Sequence, residues 1–515
     1  MTVASDGQAV ERRARRQIRI LLTTIFVAAV CALVYELQIG TASSYFLGDS
    51  ITQFSLTIGI FMFAMGVGSF LSRLVRHRLV NAFVAIEVLL GVVGGLSIPV
   101  LYAAYAYTDV FRLTMIALSL LVGTLIGLEI PLITRILRQY RELRITLSNV
   151  LSLDYIGALF ASVLFPFLLL PELGLVRTSL VCGIVNVLLG GLVILVYARE
   201  ISRGLTVFVG TVAVGMVALF WVTDPLVQTW ESHLYDDRIV YSAQSNYQKI
   251  VLTRWKNDVR LFLNGALQFA ALDEARYHES LVHPAMSLPP HRRNVLILGG
   301  GDGLAAREVL KYADVEHVCL VDIDPAVTEL ARTHPLLVAQ NKGALEDPRV
   351  EIVNADAFRF VQDDTTLYEI IICDLPDPSG QDVSKLYTRE FYRLLEHRLA
   401  ARGVVVTQAS SPHFAPEAFW CITATLEAAR YSVLPYHTYV PSFGDWGFVL
   451  ALHDGVLEKE MLRLLLPEDR MAFLNETVLD SLYVFPPDME RVSVAANTLG
   501  EHKLVRYYLN NWRKW

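Results

Sequence analysis

The sequence predicts a multi-span α-helical membrane domain followed by an α/β domain. The α/β part is expected to join a small N-terminal β-sheet to a doubly wound parallel sheet. Hydrophobic residues make up 54% of the 515-residue chain and charged ones only 18%, too apolar for a protein soluble throughout. Seven apolar stretches crowd the first 224 residues. From residue 293, short apolar runs alternate with helical patterns in units of roughly 20–30 residues, the rhythm of strands and crossover helices.

The apolar stretches cover roughly 18–40, 51–71, 80–103, 110–134, 149–171, 178–198 and 205–222. Each is near the ~20 residues that cross a bilayer as a helix. The first is too long, and too closely followed by others, for a cleaved leader. Basic residues gather on alternate connections. Arg12, Arg13, Arg15, Arg16 and Arg19 precede the first span, and Arg73, Arg76 and Arg78 follow the second. Arg135, Arg138, Arg141 and Arg144 follow the fourth, and Arg199 and Arg203 the sixth. By the positive-inside rule this is a multi-pass cell-membrane protein with a cytoplasmic N-terminus. Glu36, Glu87, Glu129 and Asp154 lie inside the spans, where carboxylates are costly and face a bundle interior or a pore. They fit either a transport or substrate-entry role or structural pairing with arginines near span ends.

Charge divides the chain at the same place. Residues 1–204 carry a surplus of +5 and the remainder −12. An acidic second half argues against nucleic acid and suits small cationic substrates. Cys31, Cys182, Cys319, Cys373 and Cys421 show neither CxxC nor metal-ligand spacing and read as small apolar residues. Residues 225–292 form a β-rich subdomain with strands at 238–242, 248–254 and 259–263, closed by the tight turn Asn264-Gly265. Residues 293–455 hold the parallel sheet, with strands at 295–298, 318–322, 350–353, 370–374 and 404–408, then 432–436 and 446–452. Residues 456–515 read as a helical extension.

The run Val295-Leu296-Ile297-Leu298-Gly299-Gly300-Gly301-Asp302-Gly303 is a buried strand breaking into a glycine turn that carries one carboxylate. Glycines let the backbone turn tightly and approach a nucleoside. A carboxylate there repels phosphate and suits a cationic nucleoside ligand. Two more strand ends add acids: Val321-Asp322-Ile323-Asp324 and Ile372-Cys373-Asp374-Leu375-Pro376-Asp377.

Six motifs in this order resemble the spermidine synthase (polyamine aminopropyltransferase) family in its membrane-attached bacterial branch. They are Ser245-Asn246-Tyr247-Gln248, Asn264-Gly265-Ala266-Leu267-Gln268, Asp273-Glu274-Ala275-Arg276-Tyr277-His278-Glu279, the glycine turn with Asp322, Asp356-Ala357, and Asp374-Leu375-Pro376-Asp377-Pro378. The resemblance implies a Rossmann-like, class I methyltransferase-like sheet. It also implies aminopropyl transfer from decarboxylated S-adenosylmethionine, as co-substrate, to an amine such as putrescine, with methylthioadenosine released. The sulfonium supplies the leaving group, so neither metal nor further cofactor is expected. An amine is protonated at neutral pH, so the enzyme must take its proton. By resemblance Asp374 is that acceptor. Gln248, Gln268, Asp302, Asp322, Asp356 and Ala357 meet the donor; His278, Asp302 and Asp377 meet the polyamine. Asp302 would pair with the donor's free ammonium and repel the carboxylate of intact S-adenosylmethionine. Family members commonly form dimers or tetramers, so a homo-oligomer is the matching expectation.

Asn264 stands where the family usually has aspartate, and Gln381 where soluble members often have a second proline. The loop Val440-Pro441-Ser442-Phe443-Gly444-Asp445-Trp446-Gly447 is closer to relatives that extend longer polyamines, so the acceptor stays open. Seven crossings place the catalytic part outside, whereas donor supply favours the cytoplasm. The competing readings are a class I methyltransferase, and a membrane transporter or sensor that binds polyamine or nucleoside.

Overall fold

The structure, a computed structural model, describes every residue except Met1, Gly48, Asp49, Asp109, Arg141, Arg199, Glu200, Asp236 and Trp515, and omits the side chains of 2–14 and 224–234. Of the basic residues flanking the spans, Arg141 and Arg199 therefore lie outside the described residues, as do the side chains of Arg12 and Arg13. The chain divides into two compact units, Met1–Asp237 and Arg238–Trp515.

The first unit is helical: α1 (Thr2–Leu47), α2 (Ser50–Leu71), α3 (Leu79–Tyr107), α4 (Phe111–Leu137), α5 (Leu143–Leu164), α6 (Leu170–Tyr197) and α7 (Arg203–Leu234). Among the described residues, six helices are long and apolar enough to cross a membrane. One of them runs 55 residues, Leu143–Tyr197. At 1.5 Å per residue that is about 80 Å, against ~30 Å of hydrocarbon in one crossing. It divides at a π turn, Phe165–Leu169, and at Gly174, whose φ of 68° and ψ of 177° are not helical. All seven apolar stretches are thus helical, with the fifth and sixth joined as α5 and α6. Small residues let helices touch where lipid offers no hydrophobic drive to association. A Cβ on Gly127 of α4 would sit 2.1 Å from the Met65 carbonyl of α2, so only glycine permits that contact. No glycine interrupts 216–234, and α7 runs past Asp224 to Leu234.

The second unit opens with β1 (Arg238–Gln244), β2 (Lys249–Trp255), β3 (Asp258–Leu263) and β4 (Ala266–Ala270), antiparallel and in chain order. Asn264 and Gly265, at φ 50° and 79°, make the β3–β4 turn. Helix α8 (Glu274–Met286) leads into β5 (Asn294–Gly299), β6 (His317–Asp322), β7 (Val350–Asn354), β8 (Tyr368–Asp374), β9 (Leu399–Gln408), β10 (Ser432–Val440) and β11 (Gly444–Leu452). Their order is β10-β11-β9-β8-β5-β6-β7, with β5 to β9 parallel and β11 antiparallel to both neighbours. Both faces of β5 are covered, as its run of aliphatics requires: Val295, Leu296, Ile297 and Leu298 are all fully buried. The chain leaves β5 to one side for β6 and returns on the other as β8. That reversal is where doubly wound sheets place ligands, and there Gly299 pairs with Asp374.

The last hairpin is longer than the sequence suggested. Pro435 sits within β10, which it can do because β10 is an edge strand where a missing N–H costs no ladder bond. The tail is a correction: 456–515 is not a helical extension. Among the described residues its α-helices are only Glu476–Ser481 and Lys503–Trp512, with short 3-10 turns at Lys459–Met461 and Glu468–Arg470 before them and at Pro487–Met489 between them. Pro467, Pro486 and Pro487 begin or precede two of those turns and break any longer helix. The tail nonetheless packs: Leu462, Leu474, Leu479 and Leu482 join the core of the sheet.

Candidate active site

The glycine turn folds back on the end of β8. Gly299, Gly300 and Gly303 have φ of 83°, 63° and 81°, which favours glycine. A Cβ on Gly299 would lie 2.0 Å from the Asp374 carbonyl, and the Gly300 N–H donates to that carbonyl at 3.1 Å. The turn therefore delivers the Asp374 side chain to the switch point. Tyr277 of α8 donates its hydroxyl to Asp374 Oδ1 at 2.7 Å. Burial pushes the Asp374 carboxyl up to about 6, with Asp302 adding to the rise and His278 and Tyr277 opposing it.

Asp302 lies just before the next helix, whose N-cap is Gly303; its Oδ1 accepts from the Leu304 N–H at 2.9 Å. Asn341 holds the Asp302 carbonyl at 2.9 Å. Burial raises this carboxyl too, against the pull of His278 and Leu304. His278, 1% exposed, places Nδ1 2.9 Å from Glu274 Oε2. Arg307 grips the same Glu274 through two bonds of 2.9 Å each. Burial alone would lower the His278 imidazolium, but the Glu274 bond and charge override it and raise it to about 9. His278 is thus a cation at neutral pH, facing Asp302 and Asp374.

Asp322 closes the other side of the turn, accepting from the Gly301 N–H at 3.1 Å and the Asp324 N–H at 2.9 Å. Burial lifts it to about 6, against those two bonds. Asp324 accepts from Gln248 Nε2 at 3.0 Å and Ser245 Oγ at 2.7 Å, tying the small sheet to the end of β6. Asp356 caps the helix Ala357–Asp363 through the Arg359 N–H at 3.1 Å and pairs with Lys385. Ala357 is buried at the head of that helix. Gln268 donates to the Ala266 carbonyl of its own strand at 3.1 Å; among the described residues, no hydrogen bond joins it to the acids.

Asp377, three residues past Asp374, receives Ser410 Oγ on Oδ2 at 3.4 Å. Its Oδ1 is buried without a hydrogen-bond partner among the described residues. Burial pushes it up to about 6, while Tyr508 and Ser410 hydroxyls and Gln408 pull the other way. An array of acids raised by burial, flanked by one buried imidazolium, has the charge to hold an organic cation at neutral pH.

The chain resembles proteins of known family along nearly its whole length. Residues 274–460 match the spermine/spermidine synthase domain. A polyamine aminopropyltransferase of Leptospira interrogans is 43% identical over 96% of this chain and 99% of its own. The chain belongs to the polyamine aminopropyltransferase family. Another aminopropyltransferase, polyamine aminopropyltransferase 1 of Streptomyces coelicolor, is 44% identical over 96% of this chain and 94% of its own. A spermidine synthase solved in complex with the transition state analogue AdoDATO is 29% identical, covering 48% of this chain and 86% of that one, with a TM-score of 0.45.

For an aminopropyltransferase, several neighbours of the acids matter that the sequence alone had not singled out. Tyr277, Glu274 and Asp324 stood inside motifs already noticed, and their i, i+3 and i+4 spacing with His278 or proximity to Asp322 was the available signal. Arg307 and Tyr508 carried none. Tyr508 lies on Lys503–Trp512, beyond the matched domain. A second buried cluster, Glu279, His283 and Glu308, has ligand atoms close enough to share an ion. Its atoms are already committed. Glu279 accepts the Ala472, Phe473 and Leu474 N–H groups at 2.6, 2.9 and 2.8 Å. Glu308 pairs with Arg307 and Lys311, and His283 bonds Glu308 and the Tyr312 hydroxyl at 3.0 Å each. The cluster fastens the tail to α8.

Proposed function

We propose that this transferase moves the aminopropyl group of decarboxylated S-adenosylmethionine to a primary amine, such as putrescine, and releases methylthioadenosine. The amine lone pair attacks the methylene next to the sulfonium. The C–N bond forms as the C–S bond breaks, and the sulfur keeps its electrons as a neutral thioether. Asp374 accepts the proton the ammonium must lose. Holding the two partners in line supplies most of the rate, because the leaving group is already activated.

The supporting observation is the placement of Asp374, buried beside the glycine turn with a carboxyl raised to about 6. That value leaves it ionised at neutral pH yet basic enough to take a proton. Asp302 takes the donor's ammonium and borders the amine, Asp322 its ribose hydroxyls, and Gln248, Gln268, Asp356 and Ala357 the rest of the nucleoside. Asp377, with its unpaired Oδ1, anchors the far ammonium of the acceptor. His278, as a cation, holds the acids ionised and marks the polyamine side. The apolar helices anchor the enzyme in the cell membrane, with the N-terminus cytoplasmic by the arginine pattern.

The test is a mass-spectrometric product assay on detergent-solubilised protein, given decarboxylated S-adenosylmethionine with putrescine, cadaverine, spermidine or agmatine. Methylthioadenosine with one aminopropylated amine is the expected outcome and names the acceptor. Consumption of intact S-adenosylmethionine alone would replace this reading with a methyltransferase.

A further inference from the structure

The membrane unit carries buried acids that the transfer chemistry does not use. Glu87 of α3 is fully buried, and Glu129 of α4 is 7% exposed. They meet Asp154 of α5 at one narrow cavity with room for a single water-sized group. Neither oxygen of Glu87 has a hydrogen-bond partner, nor does Oε1 of Glu129. Among the described residues, no arginine or lysine pairs with any of the three. Arg135, on the same helix as Glu129, spends its guanidinium on the Ser72 carbonyl at 3.1 Å. Elsewhere in the same bundle, Gln38 and Asn186 are fully buried and also unpartnered.

Three carboxyl groups from three helices, set in hydrocarbon without a counter-charge, can ionise there only beside a donor-only cation, which would then satisfy all three. The rest of the wall decides which one. It is aliphatic and aromatic, with Ile25, Phe83 and Ile130 among the lining. A hard metal ion takes six or more oxygens and usually keeps several waters; the three carboxylates reach six only if every one is bidentate, and a cavity with room for one water-sized group leaves no space for the waters. A primary ammonium head is the size of a water and has three N–H donors for three carboxylates; the cavity has room for that head and not for the methylenes behind it. Phe83 can add a cation–π contact.

We infer that the membrane bundle contains a binding site for a primary alkylammonium group, formed by Glu87, Glu129 and Asp154. The choice of an alkylamine as occupant rests on the function proposed above. The membrane unit then binds the same class of compound that the catalytic unit consumes and makes.

The experiment is equilibrium binding of radiolabelled putrescine to the full-length protein carrying Asp302→Asn, Asp374→Asn and Asp377→Asn, which removes the three acids proposed to meet the amine in the catalytic unit. About one equivalent should bind per chain and be lost when Glu87→Gln is added. Absence of binding, or binding indifferent to Glu87→Gln, overturns the inference. Aminopropyl transfer by Glu87→Gln on its own is the folding control. If that variant does not fold, wild-type protein is treated with a hydrophobic carbodiimide and mapped by peptide mass spectrometry. Putrescine should cut modification of Glu87 or Glu129 at least fivefold, where NaCl at equal ionic strength does not. No protection, or equal protection by NaCl, overturns the inference. Loss of transferase product with Glu87-dependent binding intact would sink the proposed function and leave this site standing.

Discussion

Tyr277 and Asp374, 97 positions apart in sequence, are joined by a 2.7 Å hydrogen bond from the phenol to Oδ1. The bond couples α8 to the end of β8 and lowers the Asp374 carboxyl against burial. Tyr277→Phe removes it, so the Asp374 carboxyl should rise. The acidic limb of the pH–rate profile should then move to higher pH by about one unit, equivalent to ~1.4 kcal/mol. A full kcat/KM profile from pH 5 to 9 checks this; an unmoved limb would exclude the coupling.

In the wild type, Asp374 must be ionised to take a proton, and it sits at about 6. Transfer should therefore fall off below about pH 6. The acids Asp322, Asp374 and Asp377, each raised to about 6, favour the folded state below the ordinary carboxylate value of ~3.9. That contribution is lost as pH rises through 6, where the free protein must hold ionised acids in a buried site. A cationic ligand relieves this. The rise in Tm on adding decarboxylated S-adenosylmethionine with the acceptor amine should be larger at pH 7.5 than at pH 5, measurable by scanning fluorimetry.

Glu274 connects two buried cations, His278 and Arg307. Glu274→Gln strands His278 and leaves Arg307 with Glu308 as its remaining acid, at a cost of about 3–5 kcal/mol, read by chemical denaturation. The sign of the pH effect is fixed. His278 is raised to about 9, so its contribution is complete below the unfolded value of ~6.5 and disappears as pH climbs through 9. The wild type should lose stability across pH 7 to 9.5, and the variant should lack that slope.

Tyr508 turns its hydroxyl toward Asp377 from the C-terminal helix. The same helix stacks Trp512 on Phe414, ring centres 5.5 Å apart, and a Cβ on Gly444 would strike that Phe414 ring at 2.5 Å. Tyr508→Phe should therefore raise the KM for the amine about three- to tenfold while leaving kcat and donor binding nearly unchanged. Equal effects on donor and amine would make the residue merely structural.

Gly299→Ala puts a Cβ 2.0 Å from a backbone carbonyl at φ 83°. A loss of at least ~2 kcal/mol in stability is expected, together with weakened donor binding by equilibrium titration.

Much of this was readable before any coordinates. Period-2 and aliphatic runs marked β1 to β3 and β5 to β9, because burial on one face or both leaves a local imprint. Asp302 could be nominated from its place in the glycine turn, and Asp322 and Asp374 because each ends a strand beside that turn. Tyr277's reach to Asp374 was hidden, since it depends on how α8 crosses the sheet and not on spacing. Tyr508 was hidden more deeply: a tyrosine in an irregular, proline-broken tail has no periodic context. The tail misled for the same reason, its apolar residues being anchors for core packing and not the face of a helix.

The most direct measurement of the central claim is turnover of Asp374→Asn alongside donor affinity. The account predicts a kcat reduced at least a thousandfold, several kcal/mol in barrier, with the Kd for decarboxylated S-adenosylmethionine within about threefold of wild type. Turnover at the wild-type level would show that Asp374 is not the proton acceptor.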